Sequence, residues 1–174
     1  MNTYVAFLRA VNLGKRTVRM ARLVEIFDQL GYERVWTFIN SGNVAFDASG
    51  SRIRLEKAIE ATLEAEFGFE VTTFLRTVPE LKRVVTEMPF AVGDGDTYFV
   101  TFLKSAPGTA TRRALEALSN DMDTLVVRGP DVHWLMHGKS TDSSLKSKDW
   151  AIVGQNQSTS RNMTMLRKLV AKLG

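Results

Sequence analysis

Hydrophobic and polar residues follow two different periods near the start of the chain. Over residues 3–9 they alternate, which predicts a β-strand. Between Met20 and Leu30 the apolar residues recur at helical spacing, with Thr17 available as a cap and Gly31 placed where helices commonly end. The sequence therefore predicts a strand followed by an amphipathic helix.

Two short strands, a second helix and a further strand complete this first pattern. The strands at residues 35–39 and 44–47 are joined by Asn40-Ser41-Gly42-Asn43, whose residue types tolerate turn geometry. A helix with an apolar residue at every fourth position follows and ends at Gly68, and residues 70–76 return to strand character. The order strand, helix, strand, strand, helix, strand is that of the ferredoxin-like unit.

A polar loop separates this unit from a second one. Thr77 and Glu80 form a capping-box pattern at the start of a third helix, which Pro89 ends. The loop at residues 93–96 contains two glycines and is the best domain boundary. After it, the strand at residues 97–104 repeats the pattern of the first strand.

The second half is predicted to repeat most of the first. Its further elements are a helix at residues 111–119, a hairpin of strands at residues 125–128 and 132–136, a weak helix at residues 143–153, a polar loop at residues 154–160 and a final helix at Met163–Leu173. The fold class is α+β, with two ferredoxin-like (βαββαβ-type) halves in tandem, the second lacking a clear fourth strand. The predicted domains are residues 1–92, which include the extra helix, and residues 97–174, which end in a basic helix; we expect one compact unit.

Composition narrows the class of protein. Of the 174 residues, 44% are hydrophobic and 24% are charged, which is ordinary for a soluble globular protein. No stretch approaches the roughly 20 apolar residues of a membrane span, and the N-terminus has no secretory leader pattern, so we expect a cytoplasmic protein with no membrane partner. Because the chain has no cysteine, disulfides, thiol nucleophiles and thiolate metal sites are excluded.

Several common sites lack their signatures. A phosphate-binding loop around Gly14 would need Gly where Arg9 stands and Ser or Thr where Arg16 stands, and neither G-x-G-x-x-G nor G-x-S-x-G occurs. The two histidines, His133 and His137, lie about 13 Å apart if their segment is a strand, which is too far to share one zinc ion. The sequence predicts neither a metal site nor a cofactor.

Aromatic residues on the central strands suggest a second possibility, since ferredoxin-like sheets can stack RNA bases on exposed aromatic rings. Trp36, Phe38 and Phe46 lie on such strands, but their spacing does not match the RNA-recognition signature. Core packing is the favoured interpretation of these rings.

Basic residues are concentrated at the two ends of the chain. Residues 1–24 carry a formal charge of +5, residues 139–174 carry +5, and residues 25–138 carry −6. If folding brings the two ends together, they form a positively charged site, which predicts an anionic partner.

Three short segments are the candidates for this site. The first follows a strand and precedes a helix, where backbone N–H groups and basic side chains converge on anions. The second is the turn of the predicted hairpin, and the third leads into the last helix, with Ser158-Thr159-Ser160 as its cap and Arg161 as a ligand clamp that shares a helix face with Lys168 and Lys172. The predicted ligand-binding residues are Arg9, Asn12, Gly14, Lys15, Arg16, Ser41, Gly42, Asn43, Thr159, Arg161 and Asn162. The alternative for each segment is a structural turn, cap or solvated face.

The same segments carry a family resemblance. The residues that carry it are Leu8-Arg9-Ala10-Val11-Asn12-Leu13-Gly14, Ser41-Gly42-Asn43, Phe67-Gly68, Pro89-Phe90 and Thr159-x-Arg161-Asn162. In these residues the chain resembles the bacterial family called domain of unknown function 1697. The resemblance implies a cytoplasmic α+β protein built from ferredoxin-like halves, with no established activity. The family's patterns are Leu-Arg-Gly-x-Asn-x-Gly and Thr-x-Arg-Asn-Trp, from which this chain departs with Ala10 and Met163.

Three functions follow from these observations. The first is a module that binds an anionic ligand, either nucleic acid or a phosphorylated small molecule. The second is an enzyme that acts on a phosphorylated or carboxylated metabolite, with Arg9 and Arg161 orienting it. The third is a scaffold whose basic ends dock a protein partner.

Overall fold

The structure is a computed structural model that describes residues 1–11, 17–39 and 42–174. The chain forms two compact units, Met1–Glu80 and Leu81–Gly174. This division lies before the loop at residues 93–96 that the sequence favours as the boundary.

The first unit is built on a four-stranded antiparallel sheet. Its strands are in the order β2-β3-β1-β4, so the first strand is central and pairs with the third and the fourth. The elements in chain order are β1 (Asn2–Leu8), α1 (Met20–Gln29), β2 (Glu33–Thr37), β3 (Asn43–Ala48), α2 (Arg52–Phe67), β4 (Thr73–Thr77) and α3 (Val78–Thr86), the last of which runs across the division.

The second unit repeats this arrangement. Its elements are β5 (Thr97–Leu103), α4 (Thr109–Glu116), β6 (Asp123–Arg128), β7 (Asp131–Met136), two 3-10 turns (Ser140–Asp142 and Asp149–Val153), β8 (Ser158–Asn162) and α5 (Met163–Leu173). The strand order β6-β7-β5-β8 is again second, third, first, fourth. The predicted α+β fold of two ferredoxin-like halves is therefore confirmed.

The prediction that the second half lacks a clear fourth strand is wrong. β8 pairs with β5 along its whole length, from Phe99 opposite Asn162 to Leu103 opposite Ser158. Its sequence, Ser-Thr-Ser-Arg-Asn, contains no large apolar residue, and Ser and Asn favour turns and caps. The pattern therefore indicated a polar loop, while the open edge of β5 supplies the hydrogen bonds that make it a strand.

Two helix predictions also need correction. The weak helix at residues 143–153 is replaced by the two 3-10 turns. Ser143, directly after the first turn, ties it to the hairpin of β6 and β7, because its Oγ donates at 2.7 Å to the buried carboxylate of Asp123, which also accepts from Trp134 Nε1 at 2.8 Å. Thr17 does not cap α1, because the capping position is Arg19, which makes no side-chain cap bond. The helix instead derives its stability from its buried apolar face.

The core of the first unit lies between its sheet and helices α1 and α2. Phe46 is fully buried and its ring contacts Tyr4, Phe27 and Tyr32 at centroid distances of 5.9, 5.2 and 4.8 Å. The opposite face of β1 is buried as well, since Val5 and Phe7 have no exposed surface. Phe46 is thus a core residue, whereas Trp36 and Phe38 are half-buried and pack edge to face.

The second unit has its own core, which covers one face of its sheet. Leu115 of α4 packs against strand residues and against the segment that contains the two 3-10 turns. The buried members are Leu103, Leu115, Leu125, Val127 and Val132, with Leu118, Trp134, Leu145, Trp150 and Val153 packed around them.

No helix in the described part of either unit is long and apolar enough to span a membrane.

Candidate functional site

The first predicted segment lies at the end of β1. The backbone N–H of Arg9 donates to the carbonyl of Thr72 at 2.9 Å, which holds the chain against β4 as it leaves the sheet. Ala10 adopts a left-handed conformation with φ of 54°, which glycine takes without steric cost and which fits the glycine that the family pattern has here. Asn12, Gly14, Lys15, Arg16 and Ser41 lie outside the described residues, so their predicted roles stay predictions.

The structure brings this segment into contact with the predicted hairpin. Leu8 N–H donates to the carbonyl of Gly42 at 2.8 Å, and a Cβ atom on Gly42 would lie 2.8 Å from Cγ2 of Val11. Gly42 also has a positive φ of 75°. Two requirements, backbone conformation and close packing, therefore explain glycine at this position.

Asn43 closes the hairpin from inside. Its side chain is fully buried, and its Nδ2 donates to the carbonyl of Phe38 at 2.8 Å. The Phe38 N–H in turn donates to the Asn43 carbonyl at 3.0 Å. These bonds give the asparagine a structural role in the hairpin.

The third predicted segment is in the second unit and forms most of β8. Arg161 is 8% exposed, and its Nη1 donates to Thr159 Oγ1 and to the carbonyl of Ser160, both at 2.9 Å. Burial lowers the pKa of Arg161 to about 10, so the guanidinium remains charged at neutral pH. Because Arg161 belongs to β8, it does not lie on the helix face that carries Lys168.

The predicted cap of α5 is also corrected. Ser158-Thr159-Ser160 are strand residues, and Asn162 is the capping residue: its Oδ1 accepts a hydrogen bond from Thr164 N–H at 2.8 Å. Asparagine is among the best residues at this position because its oxygen satisfies one of the free N–H groups of the first turn.

Sequence reasoning missed a matching arginine in the first unit. Arg76 lies on β4 opposite Val5, as Arg161 lies on β8 opposite Val100. Arg76 has no exposed surface, and its Nη1 donates to the carbonyl of the preceding residue at 2.8 Å, as Arg161 does. Aligning Arg76-Thr77 with Arg161-Asn162, each directly before a helix, would have revealed the pair.

Each of these two arginines precedes a helix, and the two helices are capped differently. At α3, Glu80 Oε2 accepts from Thr77 N–H at 2.8 Å and Thr77 Oγ1 accepts from Glu80 N–H at 3.4 Å, so the predicted capping box is present. At α5, Met165 stands at the position equivalent to Glu80. The thioether brings no negative charge to this helix start.

A cleft of about 170 Å³ opens beside the start of α5. It contains one of the predicted ligand-binding residues, Asn162, together with residues that the sequence did not single out. Its lining includes Val92, Asp96, Tyr98, Asn162, Met163 and Arg167. Arg167 is exposed, and its Nη2 lies 2.8 Å from Sδ of Met88.

One wall of the cleft is formed by a buried tyrosine. The Tyr98 hydroxyl is hydrogen-bonded to Nδ1 of His133, which is 2% exposed. Burial raises the pKa of Tyr98, and burial together with the charge of Arg128 lowers the pKa of His133 to about 4. At neutral pH both groups are therefore uncharged.

Asp96 supplies a negative charge to the same cleft. Its Oδ2 accepts from Gly93 N–H at 2.8 Å, and its Oδ1 lies 3.3 Å from Nδ1 of His137. The bond from the Gly93 backbone, with a smaller contribution from His137, lowers the pKa of Asp96 against the opposing effect of desolvation.

Within the described residues, no group of three or more His, Cys, Asp or Glu side chains is arranged to hold a metal ion.

The fold and these sites define a tandem ferredoxin-like α+β protein with a small polar cleft in its second unit. The chain belongs to the family of proteins of unknown function DUF1697, whose model matches residues 1–133. The cleft residues Asn162 and Arg167 lie beyond that match. No curated protein matches the sequence.

A solved structure shows the same fold. It is that of the conserved bacterial protein SP0830 from Streptococcus pneumoniae, with a TM-score of 0.76 and 20% sequence identity. The alignment covers 99% of this chain and 98% of that one. At this level of identity the likeness establishes the fold alone.

Proposed function

We propose that this protein binds a small anionic compound, and that the cleft beside the start of α5 is its binding site. The observation that carries the proposal is the position of Arg167 and Asn162 on one polar cleft at the start of an amphipathic helix. Arg167 brings a full positive charge, and its planar guanidinium suits carboxylate and phosphate oxygens.

The local electrostatics favour a negative ligand. The first turn of a helix carries partial positive charge from its free N–H groups, and α5 has no acidic residue in its first turn. The buried guanidinium of Arg161 lies one residue before the capping Asn162 and adds a second positive charge to this region. The attraction of an anion to the helix start and its attraction to Arg161 are both stronger where the surroundings exclude water.

The size of the cleft favours a compact ligand over a nucleic-acid strand. Drug-sized ligands occupy pockets of about 300–1,000 Å³, whereas this cleft has about 170 Å³. Tyr98, the aromatic ring on its wall, is 5% exposed and therefore has little surface on which a base can stack. A small molecule with one anionic group matches these dimensions.

The N-terminal segment is a separate proposed anion contact in the first unit. Its support is the polar and basic sequence that follows Arg9 and the contact of Val11 with Gly42. The enzyme and scaffold interpretations stay predictions from the sequence.

The test is a binding titration followed by two-dimensional NMR of the whole chain, with inorganic phosphate and with simple carboxylates as probes. We expect saturable shifts at residues 96, 98 and 162–167. Arg167→Gln should weaken binding by about tenfold or more, because a charge-assisted hydrogen bond contributes about 1.5–3 kcal/mol.

Lys168→Gln is the matched control. It removes the same charge from the adjacent exposed position of α5, which does not line the cleft. Equal weakening by both variants would show a general effect of net charge. Equal weakening, or no saturable shift with any anion, would overturn the proposed function.

A further inference from the structure

The cleft beside α5 carries charges of both signs. Arg167 and the helix start are positive, while Asp96 is a carboxylate whose pKa lies below its ordinary value. A site built only for phosphate would gain from excluding such a carboxylate, because like charges in one small cleft repel each other. The presence of Asp96 therefore favours a ligand that carries a positive group as well as a negative one.

The carboxylate of Asp96 can accept a further hydrogen bond. A carboxylate offers about four lone-pair positions, and the bonds from Gly93 N–H and His137 use one on each oxygen. Its side chain is 14% exposed, so it is held in place by these two bonds and still reachable from the cleft. A ligand ammonium group is the complementary partner for such an oxygen.

Space and apolar surface limit the rest of the ligand. A cleft of about 170 Å³ is smaller than the roughly 300–1,000 Å³ pockets of drug-sized ligands, so it favours a ligand of few non-hydrogen atoms. Val92, whose side chain is exposed, and the buried Met163 add apolar surface to the lining. A short aliphatic group fits between the two charged ends.

We propose that the cleft binds a small zwitterion of the amino acid type, with its carboxylate on Arg167 and Asn162 and its ammonium group on Asp96. This inference rests on the proposed function, since the carboxylate is the anion of that site. It adds that the ligand carries a positive group as well, which distinguishes it from a plain carboxylate or a phosphate.

The experiment compares alanine, propionate and ethylamine as ligands of the whole wild-type chain, by the same NMR titration. Propionate lacks the ammonium group and ethylamine lacks the carboxylate, so the three probes separate the two charges at similar size. We expect alanine to bind at least tenfold more tightly than propionate, and ethylamine to bind more weakly than alanine.

Variants then assign the discrimination to Asp96. Asp96→Asn keeps an oxygen for Gly93 N–H and should bring the affinity for alanine down to that for propionate. Asp94→Asn makes the same charge change at an exposed position in the same loop, outside the cleft, and should leave alanine binding unchanged.

The outcomes separate this inference from the proposed function. If propionate binds as tightly as alanine to the wild-type chain, the zwitterion inference is overturned while anion binding stands. If none of the anions binds, both fail. Because the comparison of alanine with propionate needs only the wild-type protein, a variant that folds poorly does not prevent the decision.

Discussion

Buried polar side chains in this protein are held by short, specific hydrogen bonds. In the described part of the chain, every buried side-chain nitrogen or oxygen atom has a hydrogen-bond partner. Asp123 illustrates the consequence: burial alone would raise the pKa of its carboxyl group, but hydrogen bonds from Ser143, Trp134 and Asn120 outweigh that effect and lower it. At the scale of single residues, hydrogen bonding therefore favours the ionised form of Asp123 in spite of its burial.

His133 provides a test of this point. Its pKa is about 4 in the folded protein and near 6.5 in an unfolded chain, so the unfolded state binds more protons between these values. The contribution of neutral His133 to stability is fully present above about pH 6.5 and is lost as the pH falls toward 4. We expect it to amount to about 3 kcal/mol in the free energy of unfolding.

The measurement is urea unfolding of the wild type and His133→Gln between about pH 7.5 and pH 4.5. The amide of glutamine can still bond the Tyr98 hydroxyl but does not titrate, so the variant should lose this part of the pH dependence. His137→Gln is the matched control, since His137 is 49% exposed. A variant at His133 that keeps the wild-type slope would contradict the expectation.

At the scale of elements, the hairpin between β2 and β3 depends on backbone geometry more than on propensity. Gly42 and Gly68 both have φ of 75°, but a Cβ atom at Gly68 would meet no atom within 4 Å, whereas one at Gly42 would press against Val11 and Leu8. The two glycines therefore separate the cost of the left-handed backbone from the cost of crowding.

We expect Gly68→Ala to destabilise the protein by about 1–2 kcal/mol through backbone strain. Gly42→Ala should cost about 1–3 kcal/mol more, because overpacking is added to the same strain. Urea unfolding of the two variants under one condition makes the comparison. Equal losses would show that the contact between Gly42 and Val11 relaxes without cost.

At the scale of the whole molecule, local ion pairs reduce the charge of the basic N-terminal end. Arg22, one of the five basic residues before position 25, contacts Glu25 and Glu66 at 2.9 and 2.5 Å. Exposed pairs of this kind add little stability, but they diminish the positive potential that a long anion experiences. The formal charge of +5 at the N-terminal end thus overstates the attraction for nucleic acid.

We therefore expect no saturable binding of single- or double-stranded oligonucleotides at about 0.15 M salt, where the Debye length is about 8 Å. Weak binding at low salt should disappear steeply as salt is added, because it comes from counterion release. Fluorescence anisotropy with a labelled oligonucleotide measures both. Tight binding that persists at this salt concentration would favour the nucleic-acid interpretation.

Local patterns predicted most elements of this fold. The helix at Met163–Leu173 has the predicted bounds, and α2 ends at Gly68 as expected, because amphipathic spacing and a left-handed glycine are local signals. β2 begins and ends two residues before the predicted strand, and β3 extends one residue beyond its predicted strand at each end. A β-bulge between Glu33 and Trp36 interrupts the pairing of these two strands, and such an irregularity has no local signal in the sequence. The capping box at α3 was also readable from the sequence.

The sequence by itself determined the α+β order of the first unit and most of its repetition in the second, together with the core faces and the absence of cysteine chemistry, because periodicity and composition act over neighbouring residues. Tertiary structure decided the rest. β8 is a strand because β5 offers it an open edge, and Arg161, which lies in that strand, is buried. Asp96 and Arg167 are far apart in sequence, and only folding places both on one cleft, which is why local patterns did not identify them.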